Sequence, residues 1–144
     1  MFSTVNISAS GLTAQRLRMD LIADNIANVN TTRTDDGIPF RRKLAIFRER
    51  GSSFSNSLAA NMQSNKTGEG VEVAGIREDS SPFKTVYRPN HPDANQDGYV
   101  EMPNINITSE MVDMIDASRS YEANVTALNT TKRMALKALE IGRG

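Results

Sequence analysis

The residues best equipped for chemistry lie in "DANQDG", Asp93–Gly98. Oxygen-bearing side chains alternate there before a glycine, as in the opening of a calcium loop, D-x-N-x-D-G. The twelfth position of such a loop should hold a bidentate glutamate, but here it is Asn104. "YVEMPN" follows, which reads as a strand running into proline and not as an exiting helix. Asp and Asn before Gly are also ordinary turn residues. A small calcium- or ligand-binding module built on Asp93–Gly98 is therefore the alternative reading, behind a plain β-turn. His91, the single histidine, could serve a triad assembled in space, so a small hydrolase is a third reading. One histidine without cysteine cannot furnish the usual zinc ligand sets. Neither a nucleophile elbow nor a phosphate-binding glycine loop is present, and no catalytic, cofactor-binding or metal site is expected. Arg41, Arg42, Lys43, Arg48 and Arg50 form a basic cluster that reads first as a solvated strand edge. Contact with an acidic neighbouring subunit comes next, ahead of nucleic acid, which would favour more net charge and aromatic stacking partners.

The elements that would carry these residues divide the chain in three: a helical part over 1–30, a β-rich and loop part over 31–106, and a helical part over 107–144. The last is the clearest. Ile107, Met111, Met114, Ser118, Tyr121, Val125, Leu128, Lys132, Ala135 and Leu139 recur alternately four and three apart, the seam of a helix packed lengthwise on a partner. Asn106 or Thr108 could cap its start, and Gly142 stands where helices stop. Glu110, Asp113 and Asp116 come early and Lys132, Arg133 and Lys137 late, as the helix dipole favours. Such a helix would be a rod of roughly 50 Å, whereas a compact globule of this length has a radius of gyration near 15 Å. The rod must project, and its seam needs a partner.

In the N-terminal part, Val5, Ala9, Leu12, Met19, Ile22, Ala23 and Ile26 share one broad face, interrupted by Arg16. Pairing the two ends as an antiparallel coiled coil would bury both seams, giving an α+β fold with a small β-rich middle segment. The expected intrachain contacts are Leu12, Met19, Ile22 and Ile26 with Met111, Met114, Tyr121, Val125 and Leu128. Each helix also carries a second face fit for burial: Ala14, Leu17, Leu21, Asn25 and Asn28 on the first, and Ser120, Ala123, Ala127 and Thr130 on the other. Contacts with neighbouring chains are accordingly expected at Leu17, Leu21, Asn25, Asn28, Ser120, Ala123 and Ala127, with the asparagine amides fixing register. The plainer reading makes Asn28 and Asn30 marks of a helix end running into "NTT". In the middle, "PFRRKLAIF", "GVEVAGI", "FKTVY" and "GYVEM" are strand candidates. The polar run "GSSFSNSLAANMQSNKTGEG" between the first two reads as mobile.

Composition sets the outer bounds. Seventeen basic and seventeen acidic side chains cancel, and cysteine is absent, so disulfides and thiolate chemistry are excluded. No apolar run approaches membrane-spanning length. "MFSTVNISASG" has neither a basic leader nor an apolar block and does not read as a cleaved signal peptide.

"SASGLTAQRLRMDLIADNIANVNTTRTDDGIPFRRK" resembles the N-terminal signature of the bacterial flagellar rod proteins. "EMVDMIDASRSYEANVTALNTTKRMALKALEIG" resembles their C-terminal helix. With "GYVEMPN", the likeness is nearest to the proximal rod members of this axial family. Ile38 and Phe40 stand where glycine and tyrosine are more usual. The resemblance implies a structural subunit without enzymatic activity. It also implies type III export without signal cleavage and polymerisation into a tubular drive shaft crossing the periplasm. Implied neighbours are other rod proteins, the adaptor joining the rod to the membrane ring, and further copies of the chain. Neither nucleic acid nor membrane insertion is expected. Unassembled, the terminal helices are expected to be poorly ordered.

Overall fold

The computed structural model describes residues 2–50 and 68–142. The expectation of a mobile polar run falls largely on 51–67, outside the described residues. Six elements follow in order: α1 (Phe2–Ala27), β1 (Lys43–Glu49), β2 (Val71–Glu78), β3 (Lys84–Tyr87), β4 (Tyr99–Met102) and α2 (Ile107–Ile141). The chain is α+β, with two long antiparallel helices and a middle segment of two separate antiparallel hairpins, β1–β2 and β3–β4. Among the described residues, no helix is long and apolar enough to cross a membrane.

The helices start and stop for local reasons. The Asn106 side chain accepts from the backbone N–H groups of Thr108 and Ser109 and so caps α2, while Gly142 closes its other end by donating to Ala138. At the end of α1, the Asn28 side chain turns back to the Asp24 carbonyl at 3.0 Å and to the Asp24 carboxylate at 2.9 Å. Thr31 then bonds the Asn28 side chain through its hydroxyl. The plain reading of Asn28 therefore describes this helix end, where its amide is engaged with its own chain.

From there the chain closes a loop. Thr34 and Ile38 pair across Gly37, whose φ of 76° suits glycine, and the Phe40 N–H returns to the Thr31 carbonyl at 3.1 Å. Closure buries Phe40. Val100 and Met102, the inward residues of β4, are buried too, as are Pro103 and Ile105. It also delivers Arg41, Arg42 and Lys43 in fixed order to the side of α1.

In the β1–β2 pair a bulge falls between Ile46 and Phe47, opposite Gly75 and Val73, which bends the hairpin. The hairpin lies along α1. The Ser10 hydroxyl receives the Val71 N–H at 3.1 Å. Further along, Ala14 and Leu17 lie beside Val71 and Val73, and Leu21 lies beside β1. The second face of α1 is thus covered by the chain's own hairpin. Polar residues, not an apolar excess, bring the two together, and their pattern was invisible to a hydrophobic period.

A buried polar junction and an unshielded helix

Every part of the fold meets at one polar cluster. Asn25, on the last turns of α1, is 1% exposed. Its Oδ1 accepts the Lys43 N–H at 2.9 Å and its Nδ2 donates to the Lys43 carbonyl at 3.0 Å. One side chain thereby supplies both bonds that a neighbouring strand would give to the first residue of β1. The same Nδ2 donates to Glu110 Oε2 at 3.0 Å.

Glu110 is also 1% exposed, and its other oxygen receives Arg42 Nε at 2.5 Å. Arg42 extends the cluster to Asp113 on α2 at 3.0 Å, and Arg18 on α1 meets the other oxygen of that carboxylate at 3.1 Å. Asp79, after β2, lies 4.0 Å from Arg42. A serine hydroxyl, that of Ser81, is the main cause holding the Asp79 carboxyl below the ordinary range. The Ser81 backbone N–H and the charges of Arg42 and Arg77 act the same way, against a small opposing effect of burial. Around this core, Lys43 pairs with Asp24 at 3.2 Å, and Asn104 receives the Arg42 N–H at 3.0 Å.

A buried carboxylate loses its hydration, so its stability rests on these donors. Removing one partner of such a pair costs about 3–5 kcal/mol, although the intact pair adds little over an apolar substitute. What it does supply is direction: a guanidinium held by two carboxylates fixes the angle between hairpin and helix pair.

The junction revises several expectations. Asn25 and Leu21 are buried inside the chain, so neither is free for a neighbour, and Leu17 is half-buried beside the hairpin. The basic cluster is not simply a solvated edge: Arg42 is mostly buried in the junction, and Arg41 stacks 4.2 Å over the Phe83 ring. Glu110, read as an acid matched to the helix dipole, is with Asn25 its most buried member. Sequence reading missed Arg18, Arg42, Glu110 and Asp113 as a unit. The available signal, acids three apart on one helix and a basic run before a strand, is shared by countless exposed pairs.

The helix seam is also displaced. Met114, Tyr121, Leu128 and Ala135 are half-buried as the period predicts. The alternating positions are Glu110, Ala117, Asn124 and Thr131 in place of Met111, Ser118, Val125 and Lys132. Met111 is 56% exposed, whereas Ser118 and Val125 flank the contact, and Ser118 reaches Met19 Sδ at 3.6 Å. Ile22 is buried, and Leu12, Met19 and Ile26 are half-buried. The helices lie close at Gly11, where an added Cβ would stand 3.0 Å from the Asn124 amide. Glu110, Asn124 and Thr131 are polar members of the seam, so a period counted on apolar residues drifts by one position. On the outer side of α2, Ser120 is half-buried while Ala123 and Ala127 are exposed.

Asn25 faces Glu110 and Gly11 faces Asn124, the same interval on both helices. Continuing that register brings the Phe2 end of α1 level with roughly residue 133. The turns of α2 beyond it have no described part of α1 opposite them, a stretch of about 12 Å at 1.5 Å per residue. Met134, Leu136, Leu139 and Ile141 there are all more than half exposed, as are Met111, Val112 and Ile115 near the other end.

The "DANQDG" loop is a turn in which Asn95 and Asp93 bond within the chain. Asn95 Oδ1 receives the N–H groups of Asp97 and Tyr99, and Asp93 accepts the Thr32 hydroxyl at 2.7 Å and lies 3.8 Å from Arg33. His91 Nδ1 accepts the Asp93 N–H, so the ring is part of the same turn. Among the described residues no group of acids and histidine is arranged to hold a metal ion.

Comparison with known proteins bears on both ends of this geometry. A family model described as flagella basal body rod protein matches residues 6–33, and one described as flagellar basal body rod FlgEFG protein C-terminal matches 96–141. The flagellar basal-body rod protein FlgC of Bacillus subtilis is 50% identical over 99% of this chain and 98% of its own length. FlgC of Borreliella burgdorferi is 49% identical over 100% and 99%, and that of Yersinia enterocolitica 41% over 99% and 98%. The two matched segments contain Asn25 and Glu110, and Arg42 lies between them.

Proposed function

The chain belongs to the family of the flagellar basal-body rod protein FlgC, and from that premise we propose where and with what it works. It is a structural subunit of the rod of the bacterial flagellar basal body. Its place is the proximal rod, within the periplasm. Its neighbours there are other rod proteins, the adaptor between rod and membrane ring, and further copies of itself. It leaves the cytoplasm through the flagellar export apparatus with its N-terminus uncleaved, and it performs no catalysis.

The observation that carries this reading is the mismatch between the long helix pair and the little that covers it. The junction fixes the hairpin to the helix pair, yet both the start and the far turns of α2 keep large apolar side chains in water. Such a surface is tolerated in a subunit that is completed by its neighbours. Burying it on assembly joins the chains into a shaft able to transmit torque.

Complementation supplies the test. In a flagellated bacterium deleted for its own FlgC relative, this chain should restore swimming and co-purify with isolated basal bodies. A chain that is stably made yet stays in the cytoplasm, with no gain in swimming, refutes the reading.

A further inference from the structure

The outer face of the β3–β4 hairpin carries side chains that neither the junction nor the helix pair uses. In its register Thr85 stands opposite Glu101 and Tyr87 opposite Tyr99, while Val100 and Met102 point the other way and are buried. This face contributes Thr85, Tyr99 and Glu101 to a cleft of about 530 Å3, whose remaining lining comes from the loop at 32–39 and the turn at 92–95. That volume lies within the range of about 300–1,000 Å3 usual for small-molecule clefts. The Tyr99 ring is braced by Tyr87, with centroids 5.3 Å apart and planes at 65°. It nevertheless remains 44% exposed.

The hydrogen-bonding groups left free around that ring decide what fits. Thr85 and Glu101 are exposed and their side chains bond to no other described residue. Asn95 spends its Oδ1 on the N–H groups of Asp97 and Tyr99, which leaves its Nδ2 as a donor. An acceptor, a donor and a hydroxyl that is both thus surround one aromatic ring. A sugar ring matches this set, because its hydroxyls donate and accept while its C–H face lies on the electron-rich face of a tyrosine. An anionic ligand would meet the carboxylates of Glu101 and Asp93. A basic peptide would find only one unspent carboxylate, since Asp93 already accepts the Thr32 hydroxyl at 2.7 Å and lies 3.8 Å from Arg33. An apolar ligand would strand the polar lining. We propose that this cleft binds the uncharged sugar rings of a short saccharide or of a glycan strand, stacked on Tyr99 and hydrogen-bonded to Glu101, Thr85 and Asn95. The inference does not depend on the rod-subunit reading.

The chain has no tryptophan, and two of its three tyrosines sit on this hairpin, so tyrosine fluorescence reports on the cleft. The purified chain is titrated with cellotetraose, maltotetraose and the N-acetylglucosamine tetramer. At least one should give a saturable change at millimolar concentration. Tyr121→Phe, which removes the distant tyrosine on α2, should leave that change intact. Glu101→Ala and Thr85→Val, on different strands and both exposed, should each weaken binding about three- to ten-fold, as one lost hydrogen bond would. Far-ultraviolet circular dichroism checks that each variant is folded, and either one alone suffices for the test. Retention of the chain on purified peptidoglycan, competed by the tetrasaccharide that binds, assigns a glycan strand as the source. Binding of the soluble sugar without retention assigns a free saccharide. If no tetrasaccharide saturates, if the folded variants bind as well as the parent, or if only a short arginine peptide binds, the proposal is overturned. The rod reading is unaffected by any of these results, since complementation tests it separately.

Discussion

Replacing Glu110 by glutamine keeps the shape of a deeply buried side chain and changes only its charge and half of its hydrogen-bonding capacity. In the native junction its two oxygens accept from Arg42 Nε and Asn25 Nδ2. A glutamine has one oxygen, so its NH2 must point at one of those donors. Asn25 cannot turn its amide to compensate, because its own oxygen and nitrogen are committed to the N–H and carbonyl of Lys43. One charge-assisted bond is therefore lost and a donor faces a donor. Losing a hydrogen bond to a charged group costs about 1.5–3 kcal/mol. The larger figure of about 3–5 kcal/mol for a stranded buried charge does not apply in full, since Arg42 keeps Asp113 and is one-fifth exposed. With a loss of about 2 kcal/mol and a urea m-value of about 2 kcal/mol per molar, the midpoint should fall by about 1 M. The measurement is urea unfolding of the purified chain followed by far-ultraviolet circular dichroism. Arg42→Met alone should cost as much or more, and the double variant less than the two single costs added. An unchanged midpoint for Glu110→Gln, or strict additivity in the double variant, refutes the view that these side chains act as a unit.

Gly98 has φ near 80° and an added Cβ there would stand 2.9 Å from the Tyr87 ring, while Gly37 has φ near 76° and open space around it. Gly98→Ala should cost clearly more than the roughly 1–2 kcal/mol of left-handed strain, and Gly37→Ala only about that strain, as read from thermal midpoints. Asp79 is more acidic folded than unfolded, where its value is 3.8. Its stabilising contribution is therefore complete above the unfolded value and disappears as pH falls through the lower folded one. Ser81→Ala should remove the main cause and shrink the acid-side loss of stability measured between pH 5 and 2. Ala123 is exposed on the outer side of α2. Ala123→Trp should leave urea unfolding and export unchanged yet abolish swimming; retained swimming would show that this side is not needed for assembly.

How much of this was legible in the sequence differs by element. The length of α2, its Asn106 cap and its Gly142 stop could be read directly, because capping and helical period depend on residues within a turn or two of each other. Four strands were found within a few residues for the same reason. The family resemblance rested on motifs at both ends, and those are the segments that the family models match. All of these are local or cumulative signals.

What only the tertiary structure decided is how the polar residues are spent. Asn25 looked like an amide waiting for a neighbouring chain, and Glu110 like a dipole-matching acid at a helix start. Eighty-five positions separate them, yet they share a hydrogen bond inside the chain. Apolar residues announce burial through their spacing because water rejects them wherever they stand. A polar side chain is buried only where specific partners replace its hydration, and those partners are chosen by the way distant segments meet. For that reason the sequence determined two rods and four strands, while the fold decided how the strands pair and which face of α1 was already occupied, and left to α2 the surfaces that remain open.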